Sequence, residues 1–369
     1  MKNFEHWDAL QKAENLEEFS INREGLLWLK IKSILRKEYL NKYLSFSKQT
    51  LNSTKVQDSF RELFSQMLTD LENSHRSLDN FIQTISQKQI KEIDINQLVS
   101  ELYKLQHFDW GGDYQNSLDK YLISRYIKVK NPSYDNLQSK LDGEISGAVR
   151  GYLFNSWYNY WSSVLLENIF KSHKNVLPTV GQIKSVDFFI NDVPFDLKVT
   201  YMPAEYIKQQ RKEKGWPVEL TYLKQKAKEA QISFDKNAST SELFYEITEK
   251  MKDKGDEFCI GILSELKKQN TSILKDAQKE PKQLAKWLYE HQGEMRFGAE
   301  NRIFLVLVDS EDMNNSWKLK RNISLLKPQI EGYLNDFPKR NIQDLKLEFE
   351  YNGKTTKFTT YSDVIFIVK

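Results

Sequence analysis

Asp187, Asp196 and Lys198 are the residues of this chain whose types and spacing could do chemistry. They lie in two alternating apolar runs, 185–190 and 193–200, joined by Asn191-Asp192. Asn and Asp tolerate positive φ, so a two-residue connection of this composition predicts a β-hairpin. In that register Ile190 opposes Val193, Phe188 opposes Phe195 and Val186 opposes Leu197, giving an all-apolar face. The alternation then sets Asp187 across from Asp196 on the other face, with Lys198 two residues along. Opposed carboxylates repel, and a cation between them removes the cost. Carboxylate oxygens suit Mg²⁺, which takes one or two protein carboxylates and completes its shell with water and phosphate oxygens. A lysine alongside adds a mobile positive charge, and metal-assisted phosphodiester hydrolysis uses this combination. Removing one carboxylate of such a pair should leave folding intact, or stabilise it slightly. The alternative for the same residues is a solvated strand face with an Asp196–Lys198 ion pair worth about 0–1 kcal/mol.

A helix and a buried strand must position the hairpin. Between Gly151 and Val186 the one acidic residue is Glu167, within the helical segment 137–173. Phe154, Trp157, Trp161, Val164, Leu165 and Ile169 form its apolar stripe, and Ser156, Tyr160, Ser163 and Glu167 form a narrower polar stripe beside it. Glu167 is therefore either an ordinary surface glutamate or one that reaches a cleft at the edge of the packed face. After the hairpin come a helix over 281–292, with Leu284, Trp287 and Leu288 on one face, and the continuous apolar run of 302–309, as expected for a sheet centre.

These residues resemble the PD-(D/E)xK nuclease superfamily, which includes most type II restriction endonucleases. Asp187 matches the family's first acidic residue and Asp196-Leu197-Lys198 its (D/E)xK signature; Val186 stands where the family often has proline. The resemblance covers about 151–200 and, more weakly, 302–309. It implies an α+β protein with a restriction-endonuclease-like α/β core, a mixed central β-sheet flanked by helices. It further implies Mg²⁺, with Mn²⁺ able to substitute, held by Asp187, Asp196 and the backbone carbonyl of Leu197. Glu167 would hold a second ion or an ion-bound water. Lys198 would orient or help deprotonate the attacking water and stabilise charge on the phosphate. The implied activity is hydrolysis of double-stranded DNA at a specific site to 5′-phosphate and 3′-hydroxyl ends, by a homodimer, since two-fold symmetry suits a palindrome. Two alternatives stay open: a non-catalytic DNA-binding or interaction module of the same fold, and a repair or junction nuclease.

Composition narrows the rest. The chain has 369 residues with 40% hydrophobic and 13% aromatic content, enough for a packed core. Cys259 is the single cysteine, which excludes an intrachain disulfide and a cysteine-based zinc site. The histidines are scattered without metal-ligand spacing, and neither a phosphate-binding GxxxxGK[ST] loop nor a GxSxG elbow occurs. The first residues contain no apolar signal segment and Ile303–Val308 is too short to span a bilayer, so a cytoplasmic protein without membrane contact is expected. Net charge is only +3. Its distribution is more informative: Lys208, Arg211, Lys212 and Lys214 follow the candidate strand, either as a solvated helix face or as phosphate contacts. Arg296 and Arg302 could contact DNA, orient the site or anchor the strand. The pattern divides the chain into a helical domain over 1–132, for recognition or dimerisation, ending at Asn131-Pro132, and a nuclease domain over 133–369. A helical insertion interrupts the latter at about 203–280. Asn352-Gly353 marks a second hairpin.

Overall fold

The computed structural model describes the chain except residues 1, 14, 54, 107–117, 119–121, 129–132, 237, 239, 292–298 and 351–355. Its strands are β1 Val176–Ile183, β2 Val186–Ile190, β3 Val193–Tyr201, β4 Arg302–Val308, β5 Lys346–Glu350 and β6 Lys357–Val368. They form one mixed six-stranded sheet in the order β1-β2-β3-β4-β6-β5. β1, β2 and β3 make an antiparallel meander; β4 runs parallel to β3, β6 parallel to β4, and β5 antiparallel to β6. The protein is thus α+β.

The helices that matter are α1 Arg23–Ser33, α2 Leu71–Lys91, α3 Ser146–Lys171, α4 Ala204–Glu213, α5 Glu219–Glu229, α6 Thr240–Lys254, α7 Glu257–Lys279, α8 Pro281–His291 and α9 Ile323–Asp336. β4 is apolar throughout because both of its faces are covered. Ile303, Leu305 and Leu307 pack with Leu166, Ile169 and Phe170 of α3 and Leu326, Ile330 and Leu334 of α9. Phe304, Val306 and Val308 pack against α4, the end of α7, and α8. The 203–280 segment is therefore divided. Leu223, Ile247, Met251, Cys259 and Leu266 give α5, α6 and the first half of α7 a core of their own, while the remainder covers the sheet.

The N-terminal helices share a core with the sheet: Trp7, Trp28, Phe60 and Phe64 cluster with Val180, Ile183, Val186 and Phe189. α1 approaches β1 so closely that a Cβ on Gly181 would lie 2.3 Å from the Ser33 carbonyl oxygen, a contact only glycine permits. The expected boundary at Asn131-Pro132 lies outside the described residues. At the first hairpin, Asn191 (φ 49°) and Asp192 (φ 66°) both take the left-handed conformation, and Ile190 opposes Val193 and Phe188 opposes Phe195, as the alternation requires. The Asn352-Gly353 tip is outside the described residues, though Glu350 opposes Lys357 across it. Among the described residues, no helix is long and apolar enough to cross a membrane.

Candidate active site at the fork of β2, β3 and β4

β3 changes partner part-way along. Val193–Phe195 pair with β2, whereas Asp196–Tyr201 pair with β4, starting with the Asp196 N–H donating to the Asn301 carbonyl at 2.9 Å. An unbroken antiparallel ladder in this register would bond the Leu197 N–H to the Val186 carbonyl. The N–H donates instead to Oδ2 of Asp187, at 2.8 Å. Val186 opposes Ile183 of β1 and is buried in the N-terminal core, so the expected Val186–Leu197 pair is not made. Burial of Val186 on that side and satisfaction of the Leu197 N–H by a carboxylate together hold β2 and β3 apart. The result is a fork with Asp187 on one prong and Asp196 and Lys198 on the other.

The neighbouring acids act on Asp187. Asp187 is pushed up from the usual carboxylate range to about 7, first by burial and then by the charge of Asp196, with Glu167 adding to it; the Leu197 N–H and Lys171 oppose the shift. Glu167, on α3, accepts from the Lys171 ammonium at 2.6 Å, one helical turn on. It therefore influences Asp187 from farther out. Among the described residues, no three His, Cys, Asp or Glu side chains gather into a ready-made metal cluster. What the fork offers is a two-carboxylate set. Asp187 uses Oδ2 for Leu197 and Asp196 uses Oδ2 for Arg302. These bonds leave Oδ1 of each to a ligand, a hard-oxygen donor pair of the kind Mg²⁺ takes.

Arg302 corrects one expectation. It is 2% exposed, so it cannot serve as a DNA contact. Its Nε donates to Asp196 at 2.9 Å and its Nη2 pairs with Glu300. Glu300, itself buried, accepts from the Ser185 hydroxyl at 2.6 Å. Arg302 thus orients Asp196 from inside the sheet. Its neighbour Asn301 is fully buried and ties three elements to the fork. Its side-chain amide donates to Ser20 Oγ and the Pro194 carbonyl, while its oxygen accepts from Tyr361 N–H.

Arg211 is a second correction. At 1% exposure it is part of the core, donating to the carbonyl of Pro217 at 2.9 Å and to Gln269 and Asn270 of α7 at 2.6 and 3.3 Å. It closes the turn after α4. Lys208, Lys212 and Lys214 do lie at the surface, Lys208 beside Glu205 and Lys214 beside Asp276. Arg296 lies outside the described residues. Glu300 was not expected at the fork; its one signal in the sequence is faint, an acid two residues before the arginine that opens β4.

Comparison of the chain with protein-family models, with curated proteins and with solved structures gave no match.

Proposed function

We propose that this chain is a Mg²⁺-dependent endodeoxyribonuclease with a restriction-endonuclease-like core, acting on double-stranded DNA as a homodimer. The observation that carries this reading is the opened ladder: Asp187 intercepts the Leu197 N–H and feels the charge of Asp196 across the fork, with Lys198 next on the strand. The element order supports it, since a helix, the catalytic hairpin, a further helix and a central strand follow one another as in the superfamily. Asp187 and Asp196, with the carbonyl of Leu197, would hold the ion. When bound, the ion supplies Lewis acidity and a water acidic enough to attack near neutral pH. Arg302 fixes the rotamer of Asp196 through its Nε–H bond. Lys198 sits beside the phosphate and offsets the negative charge that builds there during attack. Asp187 must lose its proton to bind a cation, which its position makes possible at about pH 7 and above. The helical N-terminal region would contribute to recognition or to the dimer.

A second reading, a non-catalytic DNA-binding module, draws on the Arg302–Asp196 bond, which already gives one carboxylate a cationic partner. Incubating the protein with supercoiled plasmid in Mg²⁺, in Mn²⁺ and in a chelator separates the two. Metal-dependent cleavage that disappears in Lys198→Ala supports the enzyme, and discrete fragments from genomic DNA favour restriction over repair. DNA binding without cleavage selects the second reading; neither binding nor cleavage overturns both.

A further inference from the structure

One buried guanidinium serves two carboxylates at the fork. Arg302 donates from Nε to Asp196 at 2.9 Å and from Nη2 to Glu300. Of the two acids, Asp196 reaches the gap, with its side chain 25% exposed, whereas that of Glu300 is 5% exposed. Glu300 is locked in place. Its carboxylate accepts from the Ser185 hydroxyl at 2.6 Å, in the turn between β1 and β2. Its backbone carbonyl accepts from the hydroxyls of Tyr289 on α8 and Thr360 on β6, each at 2.7 Å. Tyr289 is buried as well, its ring centre 5.7 Å from the guanidinium carbon. Stability is a weak reason for so buried an acid, because desolvation offsets the attraction within a buried ion pair. Charge is a stronger one. A guanidinium bonded to Asp196 alone would place its charge there and hold off a divalent ion. Shared with Glu300, it still fixes the rotamer of Asp196 and leaves more of that carboxylate's negative charge to the gap.

We propose that Glu300, held by Ser185, sets the affinity of the fork for its divalent cation by drawing the charge of Arg302 away from Asp196. Both are positioning residues that act through Arg302. The role depends on the nuclease reading of the fork and names what tunes its metal affinity, from a residue buried behind the ligands.

The test adds Mg²⁺ or Mn²⁺ stepwise to the full-length protein and reads two midpoints. One is that of the metal-induced rise in melting temperature without DNA; the other is that of plasmid cleavage against metal concentration. Asp196→Asn marks which part of the melting response belongs to the fork, and only that part is compared. Glu300→Gln keeps the shape and an acceptor for Arg302 but removes the charge. It should move both midpoints to about 10–100-fold higher metal, with cleavage recovering at saturating metal. A glutamate with a packing role alone would behave differently: Glu300→Gln would melt lower without metal and keep both wild-type midpoints, which overturns the proposal. If Glu300→Gln does not fold, Ser185→Ala supplies the readout, since it loosens Glu300 and leaves the ion pair in place. Its midpoints should move the same way by a smaller factor, and unchanged midpoints overturn the proposal. Wild-type protein that shows neither a metal response at the fork nor cleavage defeats the nuclease reading itself. A wild-type metal response with unchanged midpoints in folded Glu300→Gln defeats this inference alone.

Discussion

The β2–β3 hairpin carries a charged cluster at each end, and the two ends are built on different terms. At the tip, Lys30 of α1 is fully buried and lies 2.7 Å from Asp79 of α2 and 3.0 Å from Asp192 of the turn. His75 sits 3.3 Å from the same ammonium through Nδ1, and its Nε2 lies 3.0 Å from the Arg23 carbonyl. The tip therefore supplies its own cation to two acids and closes. At the fork, Arg302 is committed to Asp196 and Glu300, and Lys171 to Glu167. Asp187 receives a backbone N–H, and its proton affinity rises. Burial is common to both ends; what differs is whether the chain completes the charge balance itself. A closed cluster fixes the α1–hairpin contact, whereas a carboxylate kept at about 7 suits a site that gains a ligand.

On the proposed nuclease reading, the largest expected effect is on cleavage. Asp196→Asn should lower metal-dependent plasmid cleavage on the order of 10³-fold or more, because it removes a ligand charge while keeping an acceptor for Arg302. Asp196→Ala should do the same and also lower stability in urea melts by about 2–3 kcal/mol. That is less than the roughly 3–5 kcal/mol of a fully buried pair, since Asp196 is 25% exposed and Glu300 still holds the guanidinium. Here the structure reverses the simple expectation that deleting either carboxylate is harmless: only Asp187 lacks a charged partner of that kind. Full cleavage by Asp196→Asn would break the contrast between the two ends.

Next in size is the tip. Lys30→Met should cost about 2 kcal/mol: it leaves Asp79 and Asp192 without their shared cation, but these acids are 38% and 59% exposed and water takes up part of the loss. Adding Asp79→Asn to it should recover part of that deficit in the same melts. A change below about 1 kcal/mol for Lys30→Met would mean that the tip is not closed in the sense argued.

The pH dependence should run in opposite directions at the two ends. His75 is pushed down to about 4 by burial and then by Lys30. Below pH 6.5 the unfolded chain binds a proton that the folded chain refuses, so stability falls as pH drops from 6.5 towards 4, by up to about 3 kcal/mol. Asp79, raised by burial, opposes part of this. His75→Gln should abolish the His75 contribution. Asp187 has the reverse sign: its folded form holds a proton up to about pH 7, so its contribution to stability falls as pH rises from about 4 to 7. Asp187→Asn should therefore be more stable than wild type at pH 8 and equal to it near pH 4, by chemical denaturation without metal. Parallel curves for wild type and Asp187→Asn would sink the assignment of Asp187 as the uncompensated acid.

The smallest effect on folding belongs to the surface. Changing Lys208, Lys212 and Lys214 together to Gln should alter stability by no more than about 0.5 kcal/mol. If they touch phosphates, the salt slope on duplex DNA becomes shallower by about 0.9 for each phosphate that is no longer neutralised. Arg211 is excluded from this set, since its removal would open the α4–α7 packing. An unchanged slope assigns these lysines to solvent.

The hairpin, its turn and its buried Phe188–Phe195 pair were legible in the sequence because period-two alternation and Asn-Asp turn chemistry are local signals. The buried strand after it was legible for the same reason: an unbroken apolar run needs cover on both faces. The fork was not. It depends on Val186 joining a core made by residues 4–82, and on β3 leaving β2 for β4, and neither is written in the hairpin itself. The arginines show the same limit. Arg302, Arg211 and Lys208 look alike as letters. What separates them is Asp196 and Glu300, then Gln269 and Asn270, then open solvent, all set by chain distant in sequence.

The order of the sheet also sets a timetable. Asp187, Asp196 and Lys198 leave the ribosome long before Arg302, about a hundred residues later, and β6 later still. Elongation at roughly 5–20 residues per second puts some 5–20 s between the first prong of the site and the arginine that sets it. During that interval β3 lacks the neighbour that Asp196–Tyr201 pair with, and Asn301 cannot yet tie Pro194 to Tyr361. The fork is therefore completed only after β4 and β6 have been made, a delay written into strand order.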